Sequence, residues 1–225
     1  MPICFILVLY HTLFYSLCWH PEAFSKNTNL NLKTISYYDA HAQAFYERTH
    51  HLDLTDLYEK FLFHLKPGAK ILDAGCGVGR DTHYFEKYGY DVTAFDGSKE
   101  LVKLANTIVK KPIQIMLFQD MNFIEEFDGI WACASLLHVP HEGLELVFNK
   151  IHRALKENGI FFASFKHGQG HAIQEDRAFY FKTEKDLRKD LTEKFSIIEI
   201  WTTEDRSTQT SPSPDKMWIN VLARK

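Results

Sequence analysis

The chain has 225 residues and a mass of 26.3 kDa. At ~100–200 residues per domain, that means one domain with an appendage or two very small ones. Apolar residues make up 45% and charged residues 24%, which excludes a disordered or collagen-like chain. A formal charge of −3 and a pI near 6.5 exclude a strongly electropositive nucleic-acid binder.

The start of the chain stands apart. No Asp, Glu, Lys or Arg occurs before Glu22. The apolar run Ile3–Trp19 is interrupted by His11, Thr12 and Ser16, and its length lies at the lower edge of the ~17–25 residues that cross a bilayer. A secretory signal wants Lys or Arg before such a run and small residues after it. Here only Met1-Pro2 precedes it, and bulky Cys18-Trp19-His20 closes it. Three readings compete: a membrane anchor, a poor signal peptide, or an extension translated from upstream of the true start. Both signals are incomplete, which ranks the third first. Residues 1–30 are thus expected to be a leader and 31–225 the domain. The expected location is cytoplasmic, with a tether through residues 3–19 as the weaker alternative.

Cys4, Cys18, Cys76 and Cys133 form no CxxC pair, as expected of reduced thiols. Among the 12 histidines there is no HExxH. Gly168 and Gly170 argue against a helix aligning His167 with His171, and the rings of His50-His51 diverge on a helix. No metal site is expected.

From residue 34 helical and strand patterns alternate. Tyr37–His50 reads as a helix. Leu54, Leu57, Tyr58, Phe61, Leu62 and Leu65 mark an amphipathic helix stopped by Pro67-Gly68. A strand is expected at Lys70–Ala74, a helix at Arg80–Lys87, a strand at Asp91–Phe95, and a helix at Lys99–Val109 with Ser98 as its cap. Strands follow at Ile113–Leu117 and Gly129–Ala134. A long helix over Glu142–Lys156 is ended by Asn158-Gly159, and a strand follows at Ile160–Phe165. Thr183–Leu191 is a helix capped by Thr183. Two strands, Phe195–Thr202 and Met217–Ala223, close the chain around the Ser/Thr/Pro-rich loop Thr203–Lys216. The alternation predicts an α/β fold, a mostly parallel sheet with helices on both faces. Since no helix separates the last two strands, the final one is expected to insert antiparallel.

The sharpest motif is Ile71-Leu72-Asp73-Ala74-Gly75-Cys76-Gly77-Val78-Gly79-Arg80. It follows the first strand and opens a helix, the context in which a glycine loop binds a ligand. Asp73 would repel a pyrophosphate there but suits a ligand carrying a cation. Arg80 stands where a dinucleotide pattern wants its third glycine. Asp96, 21 residues after Gly75, is placed to accept ribose hydroxyls. Plainer roles exist for each: a turn acid for Asp73, a surface ion pair for Arg80, a helix cap for Asp96 and a solvated loop acid for Asp120.

This motif resembles motif I of the class I S-adenosylmethionine (SAM)-dependent methyltransferases, and the resemblance runs over about Thr34–Lys225. It implies a Rossmann-like seven-stranded sheet with an antiparallel last strand. It also implies that Gly75, Cys76, Gly77 and Gly79 form the loop against SAM, or against S-adenosylhomocysteine after transfer. Asp73 would face the methionyl ammonium, in part through water, and Arg80 its carboxylate. Asp96, Gly97 and Ser98 match motif II at the ribose. Asp120 would take the adenine amino group and the Met121 backbone N–H a ring nitrogen. The segment Phe127–Pro140 resembles the fourth strand and its exit, placing Ala134 near the methionine part and His138 at the acceptor. The first helix, with Tyr37, Tyr38 and Tyr46, is expected to cover SAM, with Tyr46 as the contact to its methionine part.

A closer similarity, to the small bacterial stand-alone type near the tellurite-resistance methyltransferases, rests on four features. These are the Ser164–Gly170 loop, Phe179-Tyr180-Phe181, Asp205-Arg206 and the closing Trp218–Lys225. It implies Lys166, Gly168, Arg206 and Trp218 as acceptor-pocket residues, although core packing and a loop salt bridge also account for them. His138 is the base candidate by location and by the near-neutral titration of histidine; an aromatic wall is its other reading. The turn after the fourth strand is Ala134-Ser135-Leu136-Leu137, not the N/D/S-P-P-Y/F of exocyclic-amine enzymes, so base or glutamine N-methylation is disfavoured and no DNA partner is expected. Without a basic stripe, a small molecule leads as acceptor. A modified tRNA nucleoside, a lipid or quinone for a tethered enzyme, and a silent SAM-binding module are the alternatives.

Overall fold

The computed structural model describes residues 32–207 and 217–225. The expected leader and most of the Ser/Thr/Pro-rich loop lie outside the described residues. Helix α1 covers 32–40 and α2 Ala42–Thr49. The helix expected over Tyr37–His50 is thus broken at His41, whose φ of −119° and ψ of 20° leave the helical region. Helix α3, Thr55–Leu62, buries Leu57, Tyr58 and Phe61, the predicted stripe.

Strand β1, Lys70–Ala74, and helix α4, Arg80–Lys87, fall on their predicted bounds. They are followed by β2 (Asp91–Asp96), α5 (Lys99–Ala105), β3 (Gln114–Ile115) and β4 (Phe127–Ala132). Helix α6 spans His141–Ala154 and β5 Leu155–Lys166. The long helix therefore ends earlier than Asn158-Gly159 implied. Leu155 already pairs with Phe127, and the register shifts beyond that pair. Asn158, at φ 63°, turns the chain inside the strand rather than after the helix. The remaining elements are β6 (His171–Gln174), β7 (Arg177–Tyr180), α7 (Glu184–Leu191), β8 (Ser196–Glu204) and β9 (Met217–Arg224).

The main sheet has the order β3-β2-β1-β4-β5-β9-β8. Strands β1 to β5 pair parallel, and β9 lies antiparallel to both β5 and β8. Alternate side chains serve opposite faces. Leu72, Ile130, Phe161 and Val221 pack with Leu144, Phe148 and Ile151 of α6 and Leu187 of α7. Ile71, Trp131, Phe162 and Leu222 pack with Tyr58 and Phe61 of α3 and Phe85 of α4. Both faces are covered, as an α/β sheet requires.

Strands β6 and β7 form a separate antiparallel hairpin. Its turn residues, Glu175 and Asp176, both take positive φ, 51° and 65°, the pattern of a type I′ turn. The hairpin docks over the C-terminal ends of the sheet, where an open α/β fold holds its ligands.

Candidate active site

The glycine loop leaves β1 at Gly75 with φ 78°, and a Cβ there would fall 2.5 Å from Cβ of Ser135. Only glycine meets both conditions. The Phe95 carbonyl accepts from the N–H groups of Gly75 and Cys76, at 2.9 and 3.0 Å. Asp96 completes the clamp: Oδ2 accepts from Gly77 N and Oδ1 from Ser98 N, both at 2.8 Å. Ser98 caps α5 by accepting from Leu101 N, and its hydroxyl donates to Asp39 of α1. Burial raises the Asp96 carboxyl pKa, with the charge of Asp39 adding to it; the Ser98 and Gly77 N–H bonds oppose.

Beneath the loop lies a buried polar cluster. Asp81, in the first turn of α4, accepts from Tyr58 Oη (2.6 Å), Trp131 Nε1 (2.8 Å) and Arg80 Nε (2.5 Å). Burial alone would push its carboxyl up, but Arg80 and these donors hold it below the ordinary range. Asp73 is 1% exposed and accepts from Thr82 Oγ1 at 2.6 Å. Burial first, then the Asp81 charge, raises its pKa well above the usual carboxylate value.

Two cavities open above the loop and share Tyr38, Phe45, Gly75, Gly77, Ala134 and His138. The smaller, about 130 Å³, runs to Asp96, Gly97 and Ser98 past Met116, Leu117 and Phe118. A carboxylate beside an apolar slot suits a ribose carrying a flat base. The larger, about 400 Å³, extends under the hairpin to Lys166, Arg177, Phe179, Trp218 and Asn220. A Cβ on Gly77 would meet only Phe45, at 3.4 Å, so the glycine keeps the passage between loop and α2 open. These features fit SAM.

At the junction, Tyr38 Oη lies 3.0 Å from His138 Nε2, and His138 Nδ1 lies 2.7 Å from the Ala178 carbonyl. A carbonyl can only accept, so Nδ1 carries the proton and Nε2 accepts from Tyr38. Burial pushes the imidazole pKa down to about 4; the Ala178 bond opposes this and the Arg177 charge adds to it. The near-neutral titration expected of His138 is thereby corrected: the ring is neutral, and its one lone pair is engaged. Burial also raises the pKa of Tyr38, against the pull of Arg177.

The hairpin is stitched to α1 and thereby roofs the larger cavity. Tyr37 Oη donates to Glu175 (2.7 Å), and Ala178 N donates to Thr34 Oγ1 (3.2 Å). Arg177 donates to Glu175 at 2.8 Å and lies 4.3 Å over the Tyr37 ring. Its buried Nε finds no partner among the described residues, and neither does buried Oδ1 of Asn220. Each such atom costs about 1–3 kcal/mol when left dry.

Of the sequence-predicted residues, Gly75, Cys76, Gly77, Arg80, Ala134, His138, Lys166, Arg206 and Trp218 line the larger cavity, and Asp96, Gly97 and Ser98 the smaller. Lys166 Nζ sits 5.7 Å from the Phe179 ring centre, 5.6 Å from that of Trp218 and 3.9 Å from Asp205. Arg206 is bidentate to Asp56 at 2.6 and 2.7 Å. Arg80 is occupied by Asp81 and the Thr49 carbonyl. Asp73, Gly79, Asp120, Met121 and Gly168 reach neither cavity wall. Gly79 instead gives α4 a close approach to α5, since a Cβ would fall 2.9 Å from Ala105. Asp120 is exposed and Met121 buried. Tyr46 stacks on His50 at 4.4 Å, and Tyr38 with Phe45 takes the covering position. Asp39, Asp81 and Arg177 were not found from the sequence. Among the described residues no group of His, Cys, Asp or Glu could hold a metal ion.

This strand order, with a glycine loop after β1 and an acid ending β2, is the Rossmann-like fold of the class I SAM-dependent methyltransferases. The family model described as "Methyltransferase domain" matches residues 72–163. An uncharacterized methyltransferase of Synechocystis sp. is 32% identical over 117 residues, 51% of this chain and 52% of that protein. The chain thus spans about half the length of this curated relative. Among solved structures, the 1,6-didemethyltoxoflavin-N1-methyltransferase of Burkholderia thailandensis superposes with TM-score 0.68 at 22% identity, covering 93% of this chain and 92% of that one. It was solved with bound 1,6-didemethyltoxoflavin and S-adenosylhomocysteine. TehB from Haemophilus influenzae gives TM-score 0.63 at 17% identity, over 80% of this chain and 65% of that one.

Proposed function

We propose that the protein transfers the methyl group of SAM to a small-molecule nucleophile. The observation that carries this reading is the pair of cavities meeting at Tyr38, Ala134 and His138. The smaller suits a nucleoside, and the larger is bounded on one side by Gln174, Arg177 and Phe179 of the hairpin, which favours a compact acceptor over a polymer strand. The Burkholderia neighbour, which shares the fold over nearly the whole chain, was solved with 1,6-didemethyltoxoflavin and S-adenosylhomocysteine bound.

When bound, SAM supplies an electrophilic methyl on a sulfonium whose positive charge is lost as the methyl leaves. Asp96 would accept the ribose hydroxyls on lone pairs not used by Gly77 and Ser98. Phe118 and Leu117 would flank the base, and the glycine loop would lie against the methionine part. Alignment and exclusion of water by the roof contribute most of the acceleration.

The chain also supplies a route for the acceptor's proton. Tyr38 spends its own proton on His138 and so offers only lone pairs to the cavity. As the acceptor attacks, its N–H or O–H bond breaks and an O–H bond forms on Tyr38. The original Tyr38 proton moves to His138 Nε2, and the resulting imidazolium keeps its Nδ1–H bond to Ala178. His138 thus acts through Tyr38 rather than directly. Its low intrinsic basicity is offset because one positive charge leaves the site as another arrives.

The test is methyl transfer from labelled SAM into a cell extract separated into small molecules, RNA and protein. Label in the small-molecule fraction supports the proposal, and label confined to RNA favours a modified nucleoside. SAM binding with no label in any fraction overturns it in favour of a silent binding module. Among the described residues no helix is long and apolar enough to cross a membrane.

A further inference from the structure

We infer that Arg48 of α2, and not Arg80 at the start of α4, holds the methionyl carboxylate of SAM and so selects a cofactor that carries one. This deepens, and rests on, the methyl-transfer reading above.

The charge pattern of the larger cavity leads to this residue. Arg48, Arg80, Lys166, Arg177 and Arg206 all line it. Four of them already have counter-charges. Arg80 Nε donates to Asp81 at 2.5 Å, and its Nη1 to the Thr49 carbonyl at 3.3 Å. Arg177 pairs with Glu175 at 2.8 Å, Arg206 with Asp56 at 2.6 Å, and Lys166 Nζ lies 3.9 Å from Asp205. Arg48 is exposed, and among the described residues it pairs with no carboxylate. SAM carries a single anionic group, its carboxylate. One unmatched cation on the wall thus meets one unmatched anion on the ligand.

Position agrees with charge. Phe45, Arg48 and Thr49 stand three and four residues apart on one face of α2, and all line the cavity. The Arg48 guanidinium carbon lies 5.5 Å from the centre of the Phe45 ring. That ring is the group a Cβ on Gly77 would meet, at 3.4 Å. Arg48 therefore flanks the passage between α2 and the glycine loop, the stretch assigned to the methionine part. A guanidinium resting on a ring keeps its edge N–H groups free for the fork of a carboxylate. The last turn of α2 favours a cation by its dipole, which accounts for a basic residue there but gives it no counter-ion.

Arg80 is placed for other work. Its side chain is 19% exposed and that of Asp81 7%. Drawing Arg80 onto a second anion would weaken the pair that compensates a buried carboxylate, at a cost the exposed Arg48 does not incur.

The experiment titrates the full chain calorimetrically with S-adenosylhomocysteine and with its decarboxylated analogue, which keeps the ammonium, sulfur and nucleoside. The unaltered protein should prefer S-adenosylhomocysteine by about tenfold. In Arg48→Gln that preference should vanish, because S-adenosylhomocysteine weakens to the level of the analogue while the analogue binds as before. Urea unfolding checks that the exposed substitution leaves the fold intact. Arg80→Gln, where it folds, should keep the preference. Loss of affinity for both ligands alike in Arg48→Gln, no loss for either, or a preference erased by Arg80→Gln instead would overturn the inference while leaving methyl transfer intact. Failure of the unaltered chain to bind S-adenosylhomocysteine at all removes the methyl-transfer reading and this inference with it.

Discussion

Asp96→Asn separates two roles of one carboxylate. In the free protein both oxygens accept backbone N–H groups, from Gly77 and Ser98. The isosteric amide keeps one of these bonds and turns an NH2 toward the other donor, at a cost of about 1–3 kcal/mol. A second effect opposes this. The folded-state pKa of Asp96 is raised, chiefly by burial. A raised carboxyl pKa means that stability is lost as pH climbs from the unfolded value through the folded one, so at neutral pH the ionised group opposes folding. Removing the charge relieves that opposition. The net loss of stability should therefore stay below about 2 kcal/mol. Binding has no such offset. A ribose loses a charge-assisted acceptor worth roughly 1.5–3 kcal/mol, or about ten- to hundredfold in affinity. Urea unfolding of the free protein and calorimetric titration with S-adenosylhomocysteine measure the two separately. S-adenosylhomocysteine affinity within about twofold of wild type in a folded variant would refute the ribose assignment.

Tyr38→Phe should lower kcat at least roughly tenfold for an acceptor that must lose a proton, with S-adenosylhomocysteine affinity unchanged in a calorimetric titration; equal loss in both would mean that Tyr38 only packs. Gly75→Ala places a Cβ against Ser135 at positive φ and should abolish measurable cofactor binding, with at least about 1–2 kcal/mol of lost stability by denaturant titration. Because burial raises Asp73 in the free protein, a bound ammonium nearby would favour its ionised form, so SAM affinity should rise with pH through that raised value and SAM binding should release protons. Titrations in buffers of different ionisation enthalpy measure this release, and none would count against the cation pairing. Arg206→Ala removes a partly exposed pair with Asp56 and should cost at most about 1 kcal/mol in urea.

The cofactor half of the molecule was legible because local chemistry writes it. β1, the glycine loop and α4 follow one another without a break, and each glycine or acid there answers to a backbone need within a few residues. Ser98 and Thr183 were readable as caps for the same reason, and both accept the expected N–H bond. The roof was not legible. The hairpin strands are four residues each, and their turn uses Glu175-Asp176, where a Gly or Asn would have signalled positive φ. Asp81 reads as an ordinary acid in a helix's first turn; only the fold brings Tyr58 and Trp131 to it. Tyr46 was preferred to Tyr38 because a single helix over Tyr37–His50 hides the break at His41, which sets the two tyrosines on different helices. His138 lines both cavities, but its titration depends on burial beneath a hairpin that the sequence did not announce.

The roof also has a bearing on how such a chain can change over time. Neither α1 nor the β6–β7 hairpin supplies a strand to the seven-stranded sheet, yet their contacts with each other cross 138 and 144 residues of sequence. Substitutions in these two segments can reshape the acceptor side while the β1 loop and the β2 acid stay as they are. The same separation imposes a constraint: a new hairpin must still match the α1 residues it meets, Thr34 and Tyr37. Drift in one segment is therefore coupled to drift in the other, and chimeras that exchange the hairpin should tolerate the swap best when α1 travels with it.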